Sequence, residues 1–138
     1  MTRIFVYGTL RVGIYNYNKY LKGENSFRQY GYVKGSLFTI KNKVYPALTL
    51  DGSDMIVGEI HEVNDKTLID VDKMEGYIGE NDITNEYDKI FCDIYNEQEE
   101  KIDKLPVYVY NMRNPENKLL LGDKIPCLDY VKYIQDKK

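Results

Sequence analysis

The chain has 138 residues, 43% of them hydrophobic and 30% charged. A globular domain of this length hides roughly two thirds of the surface its unfolded chain exposes, so a single domain over residues 1–138 is expected, and no apolar run is long enough to cross a bilayer. A net charge of −3 with acids and bases interspersed supplies no basic face to neutralise phosphates, which argues against nucleic acid as a partner.

The N-terminal MTRIFVYG has too short an apolar stretch for a secretory leader and runs straight into a strand over residues 3–7, so a cytoplasmic location is expected. That strand breaks at Gly8 and Thr9. Either Gly8 only lets the chain bend, or the N–H groups of Gly8, Thr9 and Leu10 converge as a nest that grips a carboxylate. Tyr17, Tyr20 and Leu21 then follow helical spacing. Gln29–Ile40 and Val44–Leu50 are rich in β-branched and aromatic residues, and the polar Lys41-Asn42-Lys43 between them predicts a hairpin. Asp54–Val63 reads as a further strand with Ile56, Gly58, Ile60 and Glu62 on one face and Val57, Glu59, His61 and Val63 on the other. His61 is the only histidine. It reads as an ordinary rim or hydrogen-bonded residue, since no elbow motif surrounds a Ser or Cys for it to serve.

Asn64 is a natural N-cap for a helix whose apolar side is Leu68, Val71 and Met74, with Asp65 at its positive end and Gly76 as its stop. Glu75 lies four residues after Val71 and seven after Leu68, on the side the helix buries. A carboxylate there needs a partner or takes a raised pKa, which leaves two readings open: a rim residue in a salt bridge, or a general base. Asp70, Asp72 and Glu75 do not share one face, so no metal site is expected. Ile83–Tyr95 and Leu105–Met112 read as paired strands joined by the charged Asn96–Lys104, Asn114–Pro126 as a loop, and the Leu128, Val131, Ile134 stripe as a last helix. Cys92 and Cys127 read as reduced packing residues. Strands outnumber helices and most are short-linked, which predicts an α+β fold: a small mixed or antiparallel β-barrel with a few flanking helices.

The blocks YGTLR (Tyr7–Arg11), GxxN (Gly13–Asn16), GSLF (Gly35–Phe38), YPAL (Tyr45–Leu48), VGEIHEV (Val57–Val63), EGY (Glu75–Tyr77) and VYVY (Val107–Tyr110) occur in this order. Together they span nearly the whole chain, which resembles the γ-glutamylcyclotransferase-like family. The wording YGTL is nearer the branch that takes γ-glutamylamines. The resemblance implies a small barrel with flanking helices that holds a γ-glutamyl compound at the loop after the first strand, here Tyr7, Gly8, Thr9 and Leu10. It also implies that Glu75, at the end of the internal helix, acts as acid and base in releasing 5-oxoproline and an amine. No metal or organic cofactor is implied.

In such a reaction Arg11 either steadies the substrate carboxylate or anchors the loop, and either a loop N–H or the Tyr110 hydroxyl meets the developing oxyanion. The chain departs from the pattern at Lys89, where relatives often have Arg, and at Lys124, the usual Trp position. Both departures bear on how the leaving amine is held. A binding module that uses the same pocket without turnover is the alternative, because fold does not fix function.

Overall fold

A computed structural model describes residues 2–136 apart from the Arg28 side chain. Its strands are β1 (Thr2–Val6), β2 (Asn25–Ile40), β3 (Ala47–Val63), β4 (Tyr87–Tyr95), β5 (Lys101–Tyr110) and β6 (Leu121–Lys124). The helices are α1 (Asp65–Met74), α2 (Pro115–Leu120) and α3 (Tyr130–Asp136), with a π-helical turn at Tyr17–Leu21. Among the described residues no helix is long and apolar enough to cross a membrane.

The sheet runs β3-β1-β5-β4-β2-β6, and β2 pairs with β3 as well, so the first five strands return on themselves. The fold is α+β, and its barrel is partial. Two long antiparallel hairpins, β2–β3 and β4–β5, carry most of the ladder. They are joined through narrow seams: β1 meets β5 in parallel at Phe5 and Val107, and β2 meets β4 at Tyr32 and Tyr95.

β1 is the strand on which the site is hung, and it is buried on both faces. Side chains alternate along a strand, so Phe5 and Tyr7 join the core formed with Val33, Ile56, Ile94 and Val107. Ile4 and Val6 join a second core with Val63, Val71, Tyr87 and Tyr108, where α1 packs. Burying one such side chain stabilises the fold by roughly 1.5–3 kcal/mol.

Several elements differ from expectation, and β5 begins at Lys101, inside the stretch expected as a connection. The two strands expected at Val44–Leu50 and Asp54–Val63 are one strand, β3, because the polar Asp51–Ser53 break is a bulge: the register steps from Ser36↔Thr49 to Gly35↔Asp54 across β2 without ending the pairing. The expected loop Asn114–Pro126 contains α2, with Pro115 in its first turn and Asn114 capping it through Glu116 and Asn117 N–H, and then β6, which pairs with β2. The strand expected from Ile83 begins only at Tyr87, since Asp82 and Asn85 turn the preceding residues through side-chain hydrogen bonds.

Where β1 crosses β3, Gly58 lets the strands close. A methyl group there would overlap the Phe5 ring and the Val6 carbonyl. Gly58→Ala is therefore expected to destabilise the protein by about 1–3 kcal/mol, read as a drop of several degrees in Tm. An unchanged Tm would show that the seam is loosely packed.

Candidate active site

A cavity of about 280 Å3 opens where the end of β1 meets the end of α1. Tyr7, Gly8, Thr9, Leu10 and Glu75 all line it. Gly8 passes tightly over Pro46, whose ring carbons lie 3.0 and 3.1 Å from where a Cβ would stand. This close approach is why β1 ends on a glycine. Past Gly8 the chain turns, with Arg11 N–H donating to Gly8 O (3.1 Å) and Tyr17 N–H to Thr9 O (3.1 Å). The Asn16 amide nitrogen donates to Thr9 Oγ1 (2.7 Å). Among the described residues no acceptor takes the N–H groups of Gly8, Thr9 and Leu10.

The turn is held from behind by buried charge. Arg11 Nε donates to Glu59 Oε2 (2.9 Å) and its Nη1 to Asp129 Oδ1 (2.7 Å), while Val12 N–H donates to Glu59 Oε1 (2.9 Å). His61 Nε2 also lies 2.9 Å from Glu59 Oε1, and its Nδ1 lies 2.8 Å from the Asn25 amide nitrogen. The Asn25 amide donates to Nδ1, so the proton of a neutral His61 sits on Nε2 and points at Glu59. Burial acts to raise the Glu59 pKa, yet donors from His61, Val12 and Arg11 outweigh it and hold the group below its ordinary value. Arg11 thus lies outside the cavity lining with its guanidinium engaged.

Glu75 is set by the way α1 ends. Gly76 takes φ +67, Gly76 N–H donates to Lys73 O (3.1 Å) and Tyr77 N–H to Asp72 O (2.9 Å). This Schellman arrangement makes Glu75 the C-cap, with its side chain turned to the cavity. Desolvation, then the Glu86 carboxylate, then that of Asp72 push its pKa up from 4.5 to about 8. The negative end of the α1 dipole acts in the same direction.

The remaining walls come from elements far apart in sequence: Tyr15, Asn16, Lys19 and Tyr20 from the segment after β1, and Tyr45, Pro46, Glu86, Tyr87 and Tyr108 from later parts of the chain. Four of the tyrosine hydroxyls are committed to partners. Tyr7 donates to Tyr108 O (2.6 Å), Tyr87 to Pro46 O (2.6 Å), Tyr45 to Glu86 Oε2 (2.6 Å) and Tyr108 to Asp72 Oδ1 (2.5 Å). Burial raises Tyr7 and Tyr87 well above the ordinary phenol value, so both stay neutral.

Tyr110, named from the sequence, is not among the lining residues: its hydroxyl donates to Asn117 O (3.1 Å) and its ring packs edge-on against Tyr87. Lys89 is also outside, bonded to both Asp72 oxygens (3.1 and 2.9 Å), and Lys124 pairs with Asp54 (3.1 Å). Lys19, Tyr45 and Glu86 were not singled out by sequence reasoning. The YPAL block was the one signal near Tyr45, and Glu86 carried only its adjacency to Tyr87.

Against known proteins, the family model described as γ-glutamyl cyclotransferase, AIG2-like, matches residues 4–132. The chain belongs to this family. A γ-L-glutamyl-butirosin B γ-glutamyl cyclotransferase of Niallia circulans is 38% identical over 94 residues, covering 68% of this chain and 58% of its own. A relative from Methanocaldococcus jannaschii is 36% identical over 77 residues, covering 56% of this chain and 63% of its own. The chain therefore spans less than two thirds of the length of either. Among solved structures, an uncharacterized protein of Pyrococcus horikoshii shares the fold, with a TM-score of 0.69 at 21% identity over 99% of this chain and 96% of that one. As a γ-glutamyl cyclotransferase, AIG2-like chain, the protein carries at its cavity a carboxyl group and unclaimed backbone donors, a pairing suited to proton transfer beside a bound anion.

The sign of the Glu75 shift has a consequence for folding. An acid whose native pKa lies near 8 rather than 4.5 binds its proton more tightly when folded. It therefore costs stability progressively as pH rises from about 4.5 to about 8. Glu75→Gln removes that cost, so the stability of the variant relative to wild type should rise by at least about 1 kcal/mol between pH 5 and pH 9, measured by urea unfolding. A difference independent of pH would mean that Glu75 titrates normally.

Proposed function

We propose that this chain, acting as a single γ-glutamylcyclotransferase-like domain, converts a γ-glutamyl amine into 5-oxoproline and the free amine. The observation that carries the reading is Glu75, buried beside the Glu86 and Asp72 carboxylates that push its pKa up, in one cavity with the free amides of Gly8, Thr9 and Leu10.

The substrate carries its own nucleophile. Its α-amine attacks its γ-carbonyl carbon, a C–N bond forms to close the five-membered ring, and the original amide C–N bond breaks. Such a reaction gains chiefly from orientation, on the order of 7–11 kcal/mol when the reacting groups are well placed. The loop amides would supply it by gripping the α-carboxylate, with Lys19 adding a positive charge in the same cavity, and a loop N–H would meet the carbonyl oxygen as it becomes negative. Tyr7 braces the loop through Tyr108, and Arg11 keeps it in place through Glu59 and Asp129.

Glu75 moves the proton. An α-amino group has a pKa of about 8, and an ordinary Glu of about 4.3 would be mismatched by roughly 5 kcal/mol. At about 8 the two are matched: the Glu75 carboxylate takes the proton from the α-amine as it attacks and returns it to the departing nitrogen. Protons balance, and the residue ends as it began.

The test is 5-oxoproline release from γ-glutamyl amines. Glu75→Gln is expected to keep the fold and lower kcat by roughly a hundredfold or more. Normal turnover by that variant would assign the proton transfer elsewhere, and calorimetric binding without any consumption by the wild type would favour a binding module. The pH profile is a second check. One proton must be shared between Glu75 and the substrate amine, so kcat/KM should be bell-shaped with its maximum near pH 8. A profile that rises at pH 4–5 and then stays flat would contradict a perturbed Glu75.

A further inference from the structure

Glu86 is an anion that the proton transfer does not use. It lines the cavity, yet among the described residues no cation pairs with it, and its carboxylate accepts only the Tyr45 hydroxyl, at Oε2. Its backbone is clamped: the N–H donates to Gly76 O (3.0 Å), while the carbonyl accepts from Asn111 N–H (3.1 Å) and the Asn117 side-chain amide (2.9 Å). Tyr45 and Tyr87, with ring centroids 6.3 Å apart, stand beside it. Both Tyr45 and Glu86 are half-buried, and both line the cavity.

A charge held this rigidly beside aromatic faces and close to a second carboxylate suits one kind of ligand group, an alkylammonium. Two groups of a γ-glutamyl amine qualify: its α-ammonium, or a further ammonium on the leaving amine. The chemistry separates them. Holding the α-ammonium would stabilise the charged form of the nucleophile, which must become neutral to attack. A second ammonium on the leaving amine keeps its charge throughout, and its anchoring opposes nothing. With the γ-glutamyl end on the loop amides, the leaving amine takes the rest of the cavity, whose lining includes Glu86.

We infer that Glu86, oriented by Tyr45, is a specificity-determining residue that selects γ-glutamyl derivatives of diamines and polyamines, whose leaving amine bears a second positive charge. The inference rests on the cyclotransferase reading of the same cavity.

Three γ-glutamyl amides test it: of diaminobutane, of n-pentylamine, which puts a methyl where the ammonium was, and of γ-aminobutyrate, which puts a carboxylate there. Wild type should favour the diamine over the pentylamide by about tenfold to a hundredfold in kcat/KM, the range for a hydrogen bond to a charged group, and should use the carboxylate least. In Glu86→Gln the ratio of diamine to pentylamide should fall towards one. The ratio is the readout because losing Glu86 also lowers the Glu75 pKa, which affects all three substrates alike. No preference in wild type, or an equal loss on all three in the variant, overturns the inference, while 5-oxoproline release still supports the cyclotransferase reading. If nothing is consumed, that reading fails, and calorimetric affinities for the same amides then decide whether Glu86 discriminates.

Discussion

The carboxylate of Glu59 is the contact on which the site depends. It is only 2% exposed, and an isolated charge there would cost several kcal/mol. It is tolerated because Arg11 Nε, Val12 N–H and His61 Nε2 all meet it. Those donors come from the turn after β1 and from two positions further along β3, and Arg11 also reaches Asp129 ahead of α3. The network therefore ties the cavity loop to the sheet behind it and to the C-terminal part of the chain. Removing one partner would leave another buried and unsatisfied, which ties the turn to this network.

Partial closure of the barrel is the second constraint. β1 is inserted between β3 and β5, antiparallel to one and parallel to the other, and its last residues emerge at an end of the sheet where Tyr87 and Tyr108, of β4 and β5, also lie. α1 packs over the outward residues Ile4 and Val6 and so delivers its C-cap, Glu75, to the same end. The cavity is where a central strand stops and a covering helix stops, each on a glycine: Gly8 against Pro46, and Gly76 in the left-handed region.

Much of this was legible before any coordinates. The cap at Asn64, the stop at Gly76 and the inward spacing of Glu75 are local signals, readable because a helix repeats over a few residues. The break at Gly8 was readable as a turn with backbone to spare. What the sequence could not locate came from closure. Arg11 faces away from the cavity because Glu59, 48 residues on, lies beside it, and alternation along β3 placed Glu59 and His61 on a shared face without saying that it was buried. Tyr110 alternates with Val109 on β5, but only the α2 helix, hidden in a segment that read as loop, supplies the Asn117 carbonyl that takes its hydroxyl. Glu86 reached the cavity through Gly76 and Asn111, contacts no periodicity encodes.

Glu59 and Glu75 have the same chemistry and opposite environments. Three donors around Glu59 make its ionised form the stable one, and the charge fixes structure. Glu75 meets carboxylates and a helix C-terminus instead, so its neutral form is stable, and ionisation costs the fold what proton transfer gains. A donor placed beside Glu75 would relieve that cost and return its pKa to the range where it could no longer take a proton from an amine. The absence of compensation at Glu75 is therefore a requirement of the proposed chemistry, and the compensated anion behind the loop is what lets the domain tolerate it.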